Sequence, residues 1–371
     1  MREPSDARRR RILATVRSRG SVRVADLAAE LDVSVVTVRR DVEELARAGR
    51  LRRGHGVARS LEPVEQPSVP AGRDAAEGTA VALVVPERHT YLYETMHGAR
   101  TVLEEAGLRV ALHIAPRAAG AERPLVERAL AGGAGGLLIA PRWSTAAEEA
   151  ADDAWLAGVG VPTVVTERRP RRGSALHAVD SVCSDHWYGM HLAVEHLVAL
   201  GHRRIVLAAR DDSPTARTLR SAFGRIAQDR EEVEDWTVTL SVPEAGPANP
   251  SESGPPHSPA PAGSLVGLLR ERRATAAVLH SDVDALMLVQ QLADSGIRVP
   301  QDCSVVAYDD VVAAFGGTPL TAVAPPKAEV GRVAAELLVQ RLARRSGGVR
   351  RVELLPELKI RGSARELSSF V

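Results

Sequence analysis

Lysine is almost missing from this chain of 371 residues, where only Lys327 and Lys359 accompany 46 arginines. That shortage excludes a phosphate-binding GxxxxGK[ST] loop, and neither GxSxG nor HExxH occurs either. Cysteine is equally scarce. Cys183 and Cys303 lie far apart without CxxC or Cys/His spacing, which excludes a disulfide framework and a zinc site and makes both expected core residues. No apolar run reaches 18 residues and none follows the basic N-terminus, so we expect no membrane span, no signal peptide and a cytoplasmic protein. His186, His191, His196 and His202 flank one expected helix without an i, i+4 pair to hold a metal. Gly132, Gly133, Gly135 and Gly136 end a helix and turn the chain. No catalytic residue, metal or cofactor is expected, and the chain does not read as an enzyme.

What is present is a basic head on an acidic body. Residues 1–59 hold 15 Arg against eight Asp and Glu, a net charge of +7, whereas the whole chain carries +1 and the remainder therefore about −6. Such asymmetry fits a head that neutralises nucleic-acid phosphates. The length allows two or three domains, and 44% hydrophobic residues can supply a substantial core.

Within the head, Val24, Leu27, Ala28 and Leu31 recur at i, i+3, i+4 and i+7, the buried stripe of a short helix. A break follows at Asp32 and Val33. Ser34 can cap a second helix, in which Val38, Val42 and Leu45 face inward. Ser34, Val35, Val36, Thr37, Arg39 and Arg40 are then left facing outward. Paired arginines and small apolar groups at a helix start suit the major groove of DNA, where Arg forks to guanine and methyl groups touch thymine.

Two stretches break the pattern. Spaced prolines at 60–78 read as a flexible tether, and the Pro, Gly and Ser at 243–264 read as a disordered surface loop. Elsewhere the body alternates apolar runs such as AVALVVP, GLLIAP and SVVAYDD with helical stretches at 94–106, 122–131, 146–157, 187–200, 215–228, 264–272, 282–294 and 328–344. Strands joined by helices predict an α/β fold with parallel sheets covered on both faces. Ligands bind such sheets at the carboxyl ends of strands. The residues just beyond those ends are 86–93, 141–143, 167–168, 209–220, 280–284 and 309–310.

The head resembles the DeoR-type winged helix-turn-helix at Asp26-Leu27-Ala28, Val33-Ser34, Thr37-Val38-Arg39-Arg40-Asp41, Leu45, Gly49, Leu51, Arg53 and His55-Gly56, with Val57 where that family has a second glycine. The resemblance implies that residues 34–40 read bases and that Arg52, Arg53 and His55 form a wing near phosphate or the minor groove. The body, over residues 79–364, resembles the LacI-family effector domain, a two-lobed periplasmic-binding-protein-like fold. The matching motifs are Asp185-His186-Trp187-Tyr188-Gly189, residues 193–205, residues 299–310, Pro319-Leu320-Thr321 with Pro326, and Arg361-Gly362-Ser363. This resemblance implies three crossings between lobes, near 180, 317 and 350, with lobe 1 made of 79–180 and 318–348 and lobe 2 of 181–317 and 349–364.

It also implies that Asp309 and Asp282 accept hydrogen bonds from ligand hydroxyls, although Asp282 could instead cap its helix. Either Arg217 or Arg220 could clamp the ligand. Tyr91, Tyr93 and Trp143 could stack on a sugar ring in a chain with only 3% aromatics, and Glu167 with Arg168 could be a local ion pair. The expected protein is a transcriptional regulator, most simply a repressor, that binds a double-stranded operator as a homodimer and responds to a sugar-like effector, with nucleosides second. A solute-binding receptor without DNA binding is the alternative. The arginine bias fits a GC-rich genome such as an actinobacterial one.

Overall fold

The computed structural model describes residues 8–9, 11–13, 15–16, 21–24, 27–28, 31, 33–54, 57–59, 79–87, 90–241, 265–344 and 347–367. The expected tether and the loop at 243–264 lie outside the described residues. The chain divides into two compact units, Met1–Gly72 and Arg73–Val371.

In the first unit, strand β1 (Ser21–Arg23), helix α1 (Val35–Arg47), β2 (Arg52–Gly54) and β3 (Val57–Arg59) follow in order. The strands form an antiparallel sheet in the order β1-β3-β2. Ser34 is extended and accepts the Thr37 N–H at 3.2 Å, so α1 starts where its cap predicts. Val38, Val42 and Leu45 meet Val24, Leu27, Ala28 and Leu31 in one core, completed by Ile12, Leu13 and Val16. Asp41 is buried beside this core, and a buried carboxylate needs a partner. Arg8 Nε and Arg9 Nε supply it, donating to Asp41 at 2.6 and 3.0 Å. These two arginines therefore tie the start of the head to α1.

The second unit holds two six-stranded sheets, one per lobe. Lobe 1 contains β4 (Ala80–Pro86), β5 (Arg109–Ala115), β6 (Ala134–Ile139), β7 (Thr163–Thr166) and β8 (Asp180–Ser184), separated by α2 (Thr90–Glu105), α3 (Glu122–Ala131) and α4 (Ala146–Ala157). Lobe 2 contains α5 (His186–Ala199), β9 (Arg204–Ala208), α6 (Pro214–Gln228), β10 (Asp235–Thr239), α7 (Leu265–Glu271), β11 (Ala276–Leu279), α8 (Asp282–Asp294), β12 (Ser304–Tyr308) and β13 (Thr321–Ala324). The chain then returns to lobe 1 for α9 (Lys327–Ala343) and β14 (Arg351–Leu354), and ends its sheet pairing in lobe 2 with β15 (Glu357–Lys359). The sheet orders are β14-β8-β7-β6-β4-β5 and β10-β9-β11-β12-β13-β15. Every pairing is parallel except β13 with β15.

The crossings therefore fall at Asp185, Pro325-Pro326 and Leu355-Pro356, not near 180, 317 and 350. The expected lobe boundaries shift because β8 pairs with β7, β13 with β12, and β14 with β8. Those strands are only four or five residues long and carry polar or charged side chains, so they escape a search for apolar runs. A second difference is that α2 begins at Thr90, a turn before the expected 94. Leu92, Ala99 and Leu103 are all buried, and the helical stripe they define starts at Leu92. Tyr91 and Tyr93 consequently lie on a helix, not on a loop beyond a strand.

Helix packing is tightest between α2 and α9. A Cβ on Gly331 would sit 1.8 Å from the Thr95 carbonyl oxygen, and one on Gly98 would sit 2.1 Å from that of Ala328. Only glycine permits backbones so close. Helix α9 thereby lies over lobe 1, where Val330, Ala334 and Leu338 pack on Val81, Leu83, Val164 and Val182.

Candidate functional site

The start of α1 presents an outward face. Val35 and Val36 are 42% and 66% exposed, and Arg39 and Arg40 are exposed beside them. Thr37 is half-buried, and its hydroxyl lies 2.9 Å from that of Ser34, which also serves as the cap. Two apolar side chains in water at a helix N-terminus, flanked by two arginines, give no packing advantage to an isolated head. They fit a groove lined with thymine methyls and guanine acceptors.

In the body, polar groups converge between the lobes. A cleft of about 260 Å³ is lined from lobe 1 by Glu167, Arg168 and Ser184, and from lobe 2 by His186, Thr215 and Arg217. The Glu167 carboxylate accepts the Tyr91 hydroxyl at 2.9 Å and the Ser184 hydroxyl at 3.1 Å. Burial raises its pKa in spite of these donors. Arg168, also buried, donates to the carbonyls of Pro141 at 2.5 Å and Glu167 at 2.7 Å. Desolvation lowers the Arg168 guanidinium to about 10. His186 Nδ1 lies 3.1 Å from the Tyr308 hydroxyl and Nε2 lies 3.4 Å from Thr215 Oγ1. Burial holds this imidazole down at about 3, so it is neutral at pH 7. Gly189 makes room for that contact, since a Cβ there would meet the Tyr308 hydroxyl at 2.3 Å.

Deeper in lobe 2, Asp309 follows β12 with φ +100° and a nearly buried carboxylate. Its Oδ1 has no hydrogen-bond partner, while Oδ2 lies 3.8 Å from His280 Nε2. Desolvation and the nearby Asp282 push the Asp309 carboxyl up to about 8. Trp143, Glu167 and Asp310 also have positive φ, and with Asp309 they follow the carboxyl ends of β6, β7 and β12. Non-glycine residues in this region are uncommon and concentrate at binding sites. The arrangement offers buried acceptors and donors to a small polar molecule.

Residues 8–64 match the DeoR-like helix-turn-helix domain, and residues 194–364 match the periplasmic binding protein-like domain. The chain joins a DeoR-like head to a periplasmic binding protein-like body. The repressor PurR of Haemophilus influenzae is 30% identical over 213 residues, which cover 56% of this chain and 58% of that protein. The arabinose metabolism transcriptional repressor of Geobacillus stearothermophilus is 26% identical over 358 residues, covering 92% of this chain and 90% of its own. Among solved structures, the lac repressor dimer bound to operator and the anti-inducer ONPF superposes with a TM-score of 0.62 at 20% identity, covering 78% of this chain and 95% of that one. A transcriptional regulator CelR–cellobiose complex gives 0.60 at 23%, covering 89% and 90%. These two likenesses establish the fold.

In the DeoR-like head, Ser34, Val35, Val36, Arg39 and Arg40 are exposed and Val38 is buried, as expected, whereas Thr37 is half-buried with its hydroxyl turned to Ser34. Arg52 and Arg53 lie on β2, and His55 is outside the described residues. In the periplasmic binding protein-like body the expected set divides. Asp309 and Arg217 lie at the lobe boundary. Asp282 does not cap its helix, since Ser281 holds that position; its Oδ2 instead accepts the backbone N–H groups of Val311, Val312 and Ala313 at 2.5, 2.5 and 3.0 Å. That pins the turn after Asp310, while Asp282 Oδ1 stays buried without a partner.

Trp143 is no stacking platform. It is 3% exposed, packs with Val84, Ile139 and Leu156, and donates Nε1–H to Asp152 at 2.9 Å. Tyr93 is 58% exposed and does not line the cleft, whereas Tyr91 is held by Glu167. Arg220 turns to the Ala209 carbonyl at 3.4 Å. Glu167 and Arg168 are not the expected local ion pair: the Arg168 guanidinium donates to the Glu167 backbone carbonyl and to that of Pro141, while the Glu167 carboxylate accepts from Tyr91 and Ser184. Ser184, Tyr308 and Lys327 escape the sequence reading, and so does the pairing of Arg210 with Asp284, two residues of the expected strand-end segments whose two bonds are both 2.7 Å. The signals were the unnoticed strand β8, the tyrosine opening YDD, and a rare lysine just beyond Pro325-Pro326.

Proposed function

We propose that the protein is a DNA-binding transcriptional repressor whose operator affinity is set by a small, hydroxyl-rich effector bound between the lobes of its body. The observation that carries this reading is the exposed α1 face of Val35, Val36, Arg39 and Arg40 in a chain whose body also holds the unpartnered Asp309 Oδ1. Such a carboxyl suits polyols, because its two oxygens can each meet a hydroxyl, accepting from it or, while the proton is bound, donating to it. An effector that favours one lobe arrangement shifts the population toward it, and operator affinity follows if the two arrangements differ for DNA. PurR, the arabinose repressor and the lac repressor support the regulatory role by their names. The stretch matched to PurR spans only 58% of that protein, so its activity is carried over as a proposal.

A second copy is part of the reading. Val283 and Met287 on α8 and Phe315 beside them are 41%, 53% and 82% exposed, an apolar surface that a homodimer would cover. The lac repressor neighbours are described as dimers. The protein works in the cytoplasm and catalyses no reaction; no helix among the described residues is long and apolar enough to cross a membrane.

The test is selection of fragmented genomic DNA by the purified protein above about 150 mM salt, where purely electrostatic contacts weaken. We expect a palindromic site to be enriched. Recovery of DNA without sequence preference would overturn the repressor reading and leave a solute receptor with a basic module.

A further inference from the structure

One buried ammonium sits where the lobes meet. Lys327 opens α9 directly after the Pro325-Pro326 crossing and is 4% exposed. Its Nζ donates to the Asp309 carbonyl at 2.6 Å, in lobe 2. The same atom lies 5.6 Å from the centre of the Tyr91 ring and 3.8 Å from Glu94 Oε1, both on α2 of lobe 1. The Asp309 backbone, at φ +100°, has a conformation that a residue with a Cβ keeps only where its surroundings hold it. A short hydrogen bond from a buried ammonium is such a hold. The backbone of Asp309 is thus gripped while its Oδ1, buried, has no partner.

We propose that Lys327 is a positioning residue, which holds the Asp309 carbonyl across the lobe boundary and so fixes the direction in which Oδ1 meets the effector. The inference rests on Asp309 as effector acceptor. Arginine, the usual cation of this chain, does not replace a point donor here, because its planar fork spreads five N–H groups where one carbonyl is offered.

The charges around Asp309 give the proposal a readout. Asp282 and Asp284 face it from α8, Glu167 from beyond β7, His280 from beyond β11, and Lys327 from α9. Arg210 is paired with Asp284, and burial keeps His280 neutral above about pH 4. The Lys327 ammonium favours the ionised form of Asp309, against burial and Asp282. Its loss must raise the pH at which Asp309 ionises.

The experiment measures unfolding of the full chain in denaturant from about pH 5 to about pH 9, for the parent, Asp309→Asn, Lys327→Met and the double variant. The difference that Asp309→Asn makes reports the Asp309 titration without any ligand. In the Lys327→Met background the titration should move up by at least about one pH unit. If Lys327→Met lowers stability equally at every pH and leaves the titration in place, Lys327 only packs and the proposal fails. Lys327→Gln, which keeps a donor for the carbonyl, replaces the Met variant should that one not fold, with the same shift expected.

A thermal-shift panel of neutral pentoses, hexoses and nucleosides then separates the two readings. Lys327→Met should weaken the responding compound about tenfold or more, and unchanged affinity would overturn the positioning role. Unchanged affinity in Asp309→Asn would instead remove Asp309 from the effector site, and the titration would still report whether Lys327 acts on it.

Discussion

Arg217, on α6 of lobe 2, donates Nη1–H to the Trp143 carbonyl of lobe 1 at 2.7 Å. The same nitrogen reaches the Ser144 carbonyl at 2.8 Å, and Nη2 lies 3.4 Å from Glu149. One of the two arginines expected as a ligand clamp thus clamps the opposite lobe.

Replacing Arg217 by Ala removes these cross-lobe bonds. Because the side chain is partly exposed, the loss should be modest, about 1–2 kcal/mol of stability, together with easier opening of the lobes. Thermal unfolding and small-angle scattering of the ligand-free protein test this: a lower melting temperature with a larger radius of gyration is expected. Unchanged scattering would mean that Arg217 does not keep the lobes closed.

Asp309→Asn should stabilise the body more as the pH rises. The Asp309 carboxyl has a folded-state pKa of about 8 against 3.8 for an unperturbed one, so the folded protein binds the proton more tightly. Its ionisation therefore costs stability progressively from about pH 4 to about pH 8, at up to about 1.4 kcal/mol per pH unit, and the cost is constant above that window. Denaturant unfolding of both proteins at about pH 5, 7 and 9 gives the difference directly, and a gap that does not widen between the first two would contradict the burial argument.

Arg39→Ala and Arg40→Ala should each weaken DNA binding, in distinguishable ways. An arginine on a phosphate lowers the slope of log affinity against log salt by about one for every sequence, whereas one on a base relaxes specificity at one position by about 1–3 kcal/mol. Binding titrations at several salt concentrations, on the selected site and on a scrambled one, sort the two. No change in either quantity would remove that arginine from the interface.

Gly331→Ala should prevent lobe 1 from packing. Its added methyl would meet the Thr95 carbonyl at less than bonding clearance, on a helix with no freedom to retreat from α2. The expected cost is about 3 kcal/mol or more, read as a lower melting temperature or insoluble protein. Gly107→Ala lies in open space but at φ +77°, so it should cost only the smaller strain of its backbone.

The head was legible in its sequence down to the cap at Ser34, because one short amphipathic helix leaves few choices for which face is buried. The α/β class of the body and most helix limits were legible for the same reason. Helix α2 was the exception, since its opening tyrosines look like loop aromatics until Leu92 is joined to Ala99 and Leu103. Strands β8 and β13–β15 were hidden by length and polarity: RVEL and ELK acquire their meaning only from the strand beside them. Site residues divided likewise. Asp309 could be found from its place after an apolar strand, but nothing local tells that Trp143 turns into the core or that Asp282 serves three backbone amides. Lys327 is invisible without the crossing that brings α9 back to lobe 1.

The order in which the chain is synthesised sets a further constraint. Strand β14 pairs with β8 some 170 residues behind it, and β15 closes the second sheet a few residues later. Both sheets therefore stay incomplete until residues 351–359 have been made, whereas the described core of the head is complete by Ala58. A nascent chain interrupted anywhere between these points carries a packed first unit attached to two open sheets, whose unpaired strand edges stay exposed to other strands until residues 351–359 arrive.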